Sequence, residues 1–151
     1  MTTPSSAISL IFPGQGSQAV GMGMAPAEAF PTAKAVFDEV DEALGEKLSA
    51  LIADGPAEDL TLTANTQPAL MAVSMAAFRV LEEEGLALTK VTSMAGHSLG
   101  EYAAYCAAGA ISLSDTAKLL RLRGEAMQAA VPVGEGAMAA IIGLDLDQMT
   151  A

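Results

Sequence analysis

The chain has 151 residues, of which 52% are hydrophobic and only 4% aromatic, and its formal net charge is −11. This acidity, without a basic stripe, argues against nucleic acid and against an acidic membrane surface as partners. Cys106 is the one cysteine, so no internal disulfide can form, and the first residues lack the features of a signal peptide. We therefore expect a cytoplasmic protein.

Apolar runs and helical patterns alternate along the first half of the chain. Residues 8–12 form a short apolar run that predicts a buried strand, and the glycine-rich segment 13–18 predicts a loop after it. Apolar residues at helical spacing predict helices over 32–44 and 46–53. Gly45 is expected to end the first of these helices.

The second half continues the same alternation. Residues 66–68 are expected to open the clearest helix, because proline is tolerated in a first helical turn, where its missing N–H would have no partner anyway. The predicted elements that follow are a strand over 91–95, a helix over 99–108, a helix from Ser112 to about residue 130, and a strand within 136–144.

Strands that alternate with helices predict an α/β architecture with a mainly parallel sheet. The three expected strands lie near residues 8, 91 and 138. A complete sheet of this kind has about five or six strands, so we expect the sheet to be incomplete in this chain.

The segment 96–100, Gly-His-Ser-Leu-Gly, fits the G-x-S-x-G pattern, between a predicted strand and a predicted helix. In this pattern the serine lies on a sharp strand-to-helix turn, and the flanking glycines let neighbouring backbone pass close to the bend. The helix N-terminus then points toward the negative charge that develops during acyl transfer. Ser98 is therefore the predicted nucleophile, and the N–H of Leu99 is a predicted oxyanion donor.

Four segments together resemble the malonyl-CoA:acyl carrier protein transacylases and related acyltransferase domains. They occur in the order found in that family and are the N-terminal loop 12–18, the middle motif 65–70, the nucleophile motif 96–102 and the arginine motif 123–124. The resemblance implies a hydrolase-like α/β core over residues 1–132. It also implies that residues 133–151 begin a small ferredoxin-like subdomain.

The resemblance further implies an activity in fatty acid biosynthesis. A serine takes the malonyl group from malonyl-CoA and passes it to the phosphopantetheine thiol of acyl carrier protein, so a coenzyme A thioester and acyl carrier protein are the expected partners. No bound cofactor or metal is implied, since one histidine and one cysteine offer too few ligands for a zinc site.

The same resemblance assigns roles to individual residues. Ser98 is the nucleophile, and Gln15 and Leu99 donate backbone N–H groups to the oxyanion. Arg123 pairs with the malonyl carboxylate, for which a guanidinium fork is well shaped. His97 and Gln67 are expected near the acyl pocket.

Several alternatives remain at this point. Without the resemblance, Arg121, Arg123 and Lys118 fit the solvated face of a helix. His97 fits a turn residue bonded to backbone, and Gln67 fits a residue that caps its own helix. The family base is a histidine far downstream of the serine, whereas His97 is the only histidine here. Another extender unit, a serine esterase, or an inactive fragment that acts only as a binding module are therefore the competing functions.

Overall fold

The computed structural model describes residues 7–131 together with residues 135 and 143. Apart from residues 135 and 143, the strand predicted within 136–144 and the subdomain predicted from residue 133 lie outside the described residues. The elements are β1 (Ile8–Phe12), α1 (Met24–Ala29), α2 (Pro31–Leu44), α3 (Leu48–Asp54), α4 (Ala57–Thr61), α5 (Thr63–Glu83), a short 3-10 helix (Leu88–Lys90), β2 (Val91–Gly96), α6 (Leu99–Ala107) and α7 (Leu113–Ala130). Within this part of the chain, no helix is both long and apolar enough to span a membrane.

The two strands pair in parallel, with Leu10 opposite Met94 and Phe12 opposite Gly96. The described structure is thus a mixed α/β arrangement, mostly helical, with a small two-stranded parallel sheet. This confirms the parallel pairing expected from the alternation of strands and helices.

The expectation that these strands are buried is wrong for one face of the described sheet. Successive side chains of a strand point to opposite faces. Phe12 is buried and Leu10 packs against the core, whereas Ile11 between them is 81% exposed. The described helices therefore cover one face only, while the sequence pattern predicted burial on both.

Helix α5 forms the centre of the core and packs against α2 and α7. Every residue from 66 to 72 is buried, and Met71 and Met75 are fully inaccessible. Such burial around the whole circumference is typical of a central helix. Phe37 from α2 and Leu120 from α7 belong to the same cluster.

The predicted start of α5 at residues 66–68 is wrong, because the helix already begins at Thr63. Pro68 therefore lies inside the helix and has no N–H to donate to the carbonyl of Ala64, one turn earlier. The guanidinium of Arg121, on α7, donates to that carbonyl instead, at 2.8 Å. A long-range side-chain contact thus makes a proline tolerable at this position.

Local signals place most other boundaries well. Gly45 ends α2 in a left-handed conformation, and the hydroxyl of Ser112 accepts a hydrogen bond from the N–H of Asp115 at the start of α7. Helix α3 begins two residues later than predicted. The short helices α1 and α4 were not predicted, since five or six residues carry too little periodicity to be recognised.

Candidate active site

Ser98 occupies the sharp bend between the end of β2 and the start of α6. Its backbone has φ 54° and ψ −112°, and among the described residues it is the only one other than glycine with a positive φ. A residue held in this region costs on the order of 1–3 kcal/mol and persists only where the surroundings enforce it. The side chain is exposed, as a nucleophile requires.

Two glycines allow the bend to close. A Cβ atom on Gly96 would lie 1.9 Å from the backbone carbon of Gly100, and a Cβ on Gly100 would lie 2.4 Å from the carbonyl oxygen of Phe12. Both distances are far inside van der Waals contact, so β1, β2 and α6 meet here backbone to backbone. The steric reason given for the spacing of the motif is confirmed.

The N-terminus of α6 places a backbone N–H group that lacks a helical partner next to the nucleophile. The N–H groups of Gly100 and Glu101 donate to the carbonyls of His97 and Ser98, at 2.9 and 3.1 Å. The N–H of Leu99 is the first in the helix and has no helical carbonyl one turn before it. The side chain of Leu99 is fully buried, and this burial holds the turn in place.

A chain of hydrogen bonds links the predicted nucleophile to two other predicted residues. Nη2 of Arg123 donates to Oγ of Ser98 at 3.1 Å, and Nη1 donates to Oε1 of Gln67 at 2.5 Å. The guanidinium also lies 5.7 Å from the ring centre of Tyr102. Arg123 is therefore oriented toward the serine, and the interpretation of this residue as part of a solvated helix face is wrong.

Gln67 is 1% exposed and does not cap its own helix. Its carbonyl oxygen faces Arg123, and its Nε2 donates to Sδ of Met127 at 3.4 Å. Tyr102 and Met127 were not predicted to contribute to this cluster. Their spacing from Ser98 and Arg123 along α6 and α7 was the available signal, because residues three to four apart share a helix face.

The glycine-rich loop packs against the bend from the other side. The N–H of His97 donates to the carbonyl of Phe12 at 3.1 Å, and a Cβ atom on Gly14 would lie 2.4 Å from Nδ1 of His97. The side chain of Gln15 donates to the hydroxyl of Thr63 at 3.4 Å, which ties the loop to the start of α5. His97 is thus a turn residue whose ring packs on the loop, and Ser98 is bonded to Arg123.

The interpretation of Arg121 as part of the solvated face of α7 is wrong. Its side chain is only 16% exposed, and it contacts the carbonyl of Ala64, the side-chain oxygen of Asn65 at 2.5 Å, and the carboxylate of Glu46. Burial lowers the pKa of its guanidinium, and the nearby charge of Glu125 acts in the opposite direction. Lys118, one turn earlier, is exposed as expected.

The thiol of Cys106 is poorly placed to compete with Ser98 as a nucleophile. The thiol is buried in α6, and this burial raises its pKa, although a hydrogen bond with Thr116 lowers it in part.

A groove of about 750 Å³ runs beside β2 and the outer residues of α6, and Ser98 is not among its lining residues. In the described ranges, no three side chains of the kind that bind metals come together.

A family model described as the acyl transferase domain matches residues 9–150, so the chain belongs to that family. A strained serine at a strand-to-helix bend, with a helix N-terminus behind it, is a geometry that supports acyl transfer through a serine.

Within that family, the chain is similar to malonyl-CoA-acyl carrier protein transacylases. It is 53% identical to the transacylase of Bacillus subtilis over 95% of this chain and 44% of that protein. The acyl-carrier-protein S-malonyltransferase of Bartonella henselae is 63% identical, with a TM-score of 0.87 over 94% of this chain and 46% of that one. A malonyl transacylase solved in complex with its type II polyketide acyl carrier protein is 48% identical, with a TM-score of 0.86 over 94% and 45%. The chain thus spans less than half the length of these relatives.

Proposed function

We propose that the protein transfers a malonyl group from malonyl-CoA to the phosphopantetheine thiol of acyl carrier protein, in the fatty acid biosynthesis of the cytoplasm. The hydrogen bond between Arg123 and Ser98 carries this proposal. One CH₂ group separates the carboxylate of a malonyl group from its thioester carbonyl, so a site for both must hold a carboxylate-binding cation close to the nucleophile. A guanidinium 3.1 Å from the serine oxygen meets that requirement.

The reaction takes place in two halves. Oγ of Ser98 forms a bond to the thioester carbon, its proton passes to a base, and the carbon–sulfur bond breaks to release coenzyme A as its thiol. The thiol of the carrier protein then attacks the malonyl ester on Ser98. The carbon–oxygen bond breaks, the proton of the carrier thiol passes through the base to the serine oxygen, and a new thioester leaves on the carrier protein.

The oxyanion of each tetrahedral intermediate is stabilised at the N-terminus of α6. We assign one donor to the N–H of Leu99, which follows the nucleophile directly, and the other to the N–H of Gln15 in the adjoining loop. The side chain of Gln15 bonded to Thr63 supports that placement of the loop. Loss of one such donor costs on the order of 10²-fold in rate.

His97 does not serve as the base in this mechanism. Its backbone is bonded in the turn, its ring packs against Gly14, and the described partner of the serine hydroxyl is Arg123. We place the base in a histidine outside these 151 residues, as the family resemblance implies. The matched share of the relatives, 44% of the Bacillus subtilis protein, leaves room for it.

The finer architecture and the partner follow from the same assignment. We infer a hydrolase-like core over residues 1–132 and the beginning of a ferredoxin-like subdomain over 133–151. Acyl carrier protein is the proposed acceptor, supported by the similar transacylase that was solved with its carrier protein.

Intact-mass spectrometry tests the proposal most directly. The complete protein, expressed from its full coding sequence, is mixed with malonyl-CoA, and we expect one added malonyl group that disappears when acyl carrier protein with its phosphopantetheine arm is added. Ser98→Ala should abolish the adduct. Ser93→Ala, which removes another exposed hydroxyl on the strand before the bend, should retain it.

Two results would contradict the proposal. A malonyl adduct that persists in Ser98→Ala would mean that the acyl group is carried elsewhere. Sustained hydrolysis of the thioester without any thiol acceptor would identify an esterase.

A further inference from the structure

The carbonyl of Ala64 is the starting point for a role of Arg121. Pro68 lies in the interior of α5 and cannot donate to this oxygen, which would otherwise be left without its helical partner. Nη1 of Arg121 donates to it at 2.8 Å and to Oδ1 of Asn65 at 2.5 Å. One largely buried guanidinium therefore joins α7 to the first turns of α5.

The two helices approach each other closely at this contact. A Cβ atom on Gly124 would lie 2.6 Å from the carbonyl oxygen of Thr63 and 2.7 Å from Cα of Ala64. The start of α5 is thus held against α7 both by backbone contact and by the bonds of Arg121. Gln67 lies one helical turn beyond Thr63, and it contacts Arg123 directly.

We propose that Arg121 is a positioning residue for the acyl-binding arginine. By holding Ala64 and Asn65, it fixes the first turns of α5 and hence Gln67, and Gln67 in turn sets the orientation of the Arg123 guanidinium toward Ser98. This inference rests on the proposed function, because Arg123 matters for a malonyl group and not for an acyl group without a carboxylate.

The two arginines of α7 thus have different roles. Arg121 makes its bonds to protein oxygens only, and Arg123 keeps one side of its fork toward the nucleophile. Removing Arg121 should therefore impair malonyl transfer more than transfer of a neutral acyl group. A purely structural role would lower both in proportion to the amount of folded enzyme.

The experiment compares kcat/KM for malonyl-CoA and acetyl-CoA in the full-length enzyme. In Arg121→Met, which retains length but has no donor, we expect the malonyl-to-acetyl ratio to fall about tenfold. Lys118→Met removes one positive charge from an exposed site on the same helix and should leave the ratio unchanged. A ratio in Arg121→Met equal to that of the wild type would overturn the inference.

Pro68→Ala gives a second test, which also applies if Arg121→Met folds poorly. Alanine restores an N–H opposite the Ala64 carbonyl, so Arg121→Met should lose selectivity by a smaller factor in the Pro68→Ala background. Equal factors in both backgrounds would overturn the inference. Absence of a malonyl adduct in the wild-type enzyme would instead refute the proposed function, so the two failures can be told apart.

Discussion

The helical layer and the two-stranded sheet differ in how completely they are covered. In the described part of the chain, residues 66–72 of α5 are all buried, whereas Ile11 in β1 is 81% exposed. The candidate active site lies where the two regions meet, with Ser98 on the sheet side and Arg123 on the helical side. The geometry of the site thus depends on two kinds of support.

Ser98 and Arg123 are held in place by different kinds of contact. The bend at Ser98 is fixed by backbone atoms of β1, β2 and α6 that touch through glycines. The guanidinium of Arg123 is held by side-chain hydrogen bonds, which adapt more easily to a change. We therefore expect substitutions at the bend to disturb folding, and substitutions of the arginine to disturb substrate choice.

Gly96→Ala should produce the largest effect. The added methyl group would overlap the backbone of Gly100, which cannot rotate away as a side chain can. We expect a loss of stability of about 3 kcal/mol or more and no acylation of Ser98. Equilibrium unfolding in urea and the mass assay measure the two effects.

Gly109→Ala is the control for this substitution. Gly109 has a positive φ, of 75°, which Gly96 does not have, and a Cβ atom at Gly109 would meet nothing within 4 Å. It should cost only about 1 kcal/mol, the strain of a left-handed residue. If both variants lost the same stability, the close packing at the bend would not be what supports the sheet side of the site.

Arg123→Ala should have the next largest effect, on substrate choice and not on folding. Without the guanidinium, the malonyl carboxylate would enter the site unpaired, so malonyl transfer should fall on the order of 10²-fold. Transfer of an acetyl group should be spared or improve. Steady-state kinetics with both thioesters measure the ratio, and a proportional loss of both activities would contradict the assignment of Arg123.

Gly124→Ala probes the helical side, at the closest approach of α5 and α7. Overpacking costs about 1–3 kcal/mol, and the better helix propensity of alanine returns about 1 kcal/mol of this. We expect a net loss of about 1 kcal/mol by urea unfolding, with a larger loss in Gly124→Val. A gain in stability in both variants would show that the two helices can separate freely.

The elements that the sequence predicted well are those specified by neighbouring residues. The apolar run of β1, the glycine after α2 and the hydroxyl before α7 act over a few residues, and each is found where it was expected. The bend at Ser98 belongs to the same group. Its two glycines and its serine lie within five consecutive residues, so the close approach of backbone at the bend could be predicted from the sequence.

The contacts that were not predicted depend on packing between distant segments. Gln67 and Arg123 are 56 residues apart, and their contact exists only because α5 and α7 cross. The same crossing brings Arg121 to the Ala64 carbonyl, so that Pro68 can lie inside a helix and not at its start. Neither contact produces a pattern in the neighbouring sequence. An arginine on a helix is expected to be exposed to solvent unless its partner on another segment is known.

Ser112→Ala should lower stability only modestly, without a change in substrate choice, and it tests whether the helical side tolerates a local loss. The hydroxyl accepts from the N–H of Asp115 at 3.1 Å and donates to its carboxylate at 2.7 Å. Its removal leaves the start of α7 uncapped, at a cost of about 1 kcal/mol. The first turn of α7 is two turns or more from Arg123, so the ratio of kcat/KM for malonyl-CoA to kcat/KM for acetyl-CoA should not change.

Ser114→Ala, which removes only an exposed bond to Glu39, should stay within about 0.5 kcal/mol of the stability of the wild type. A change of selectivity in Ser112→Ala would mean that disorder at the start of α7 spreads to Arg123, and that the helical layer is less firmly packed than its burial indicates.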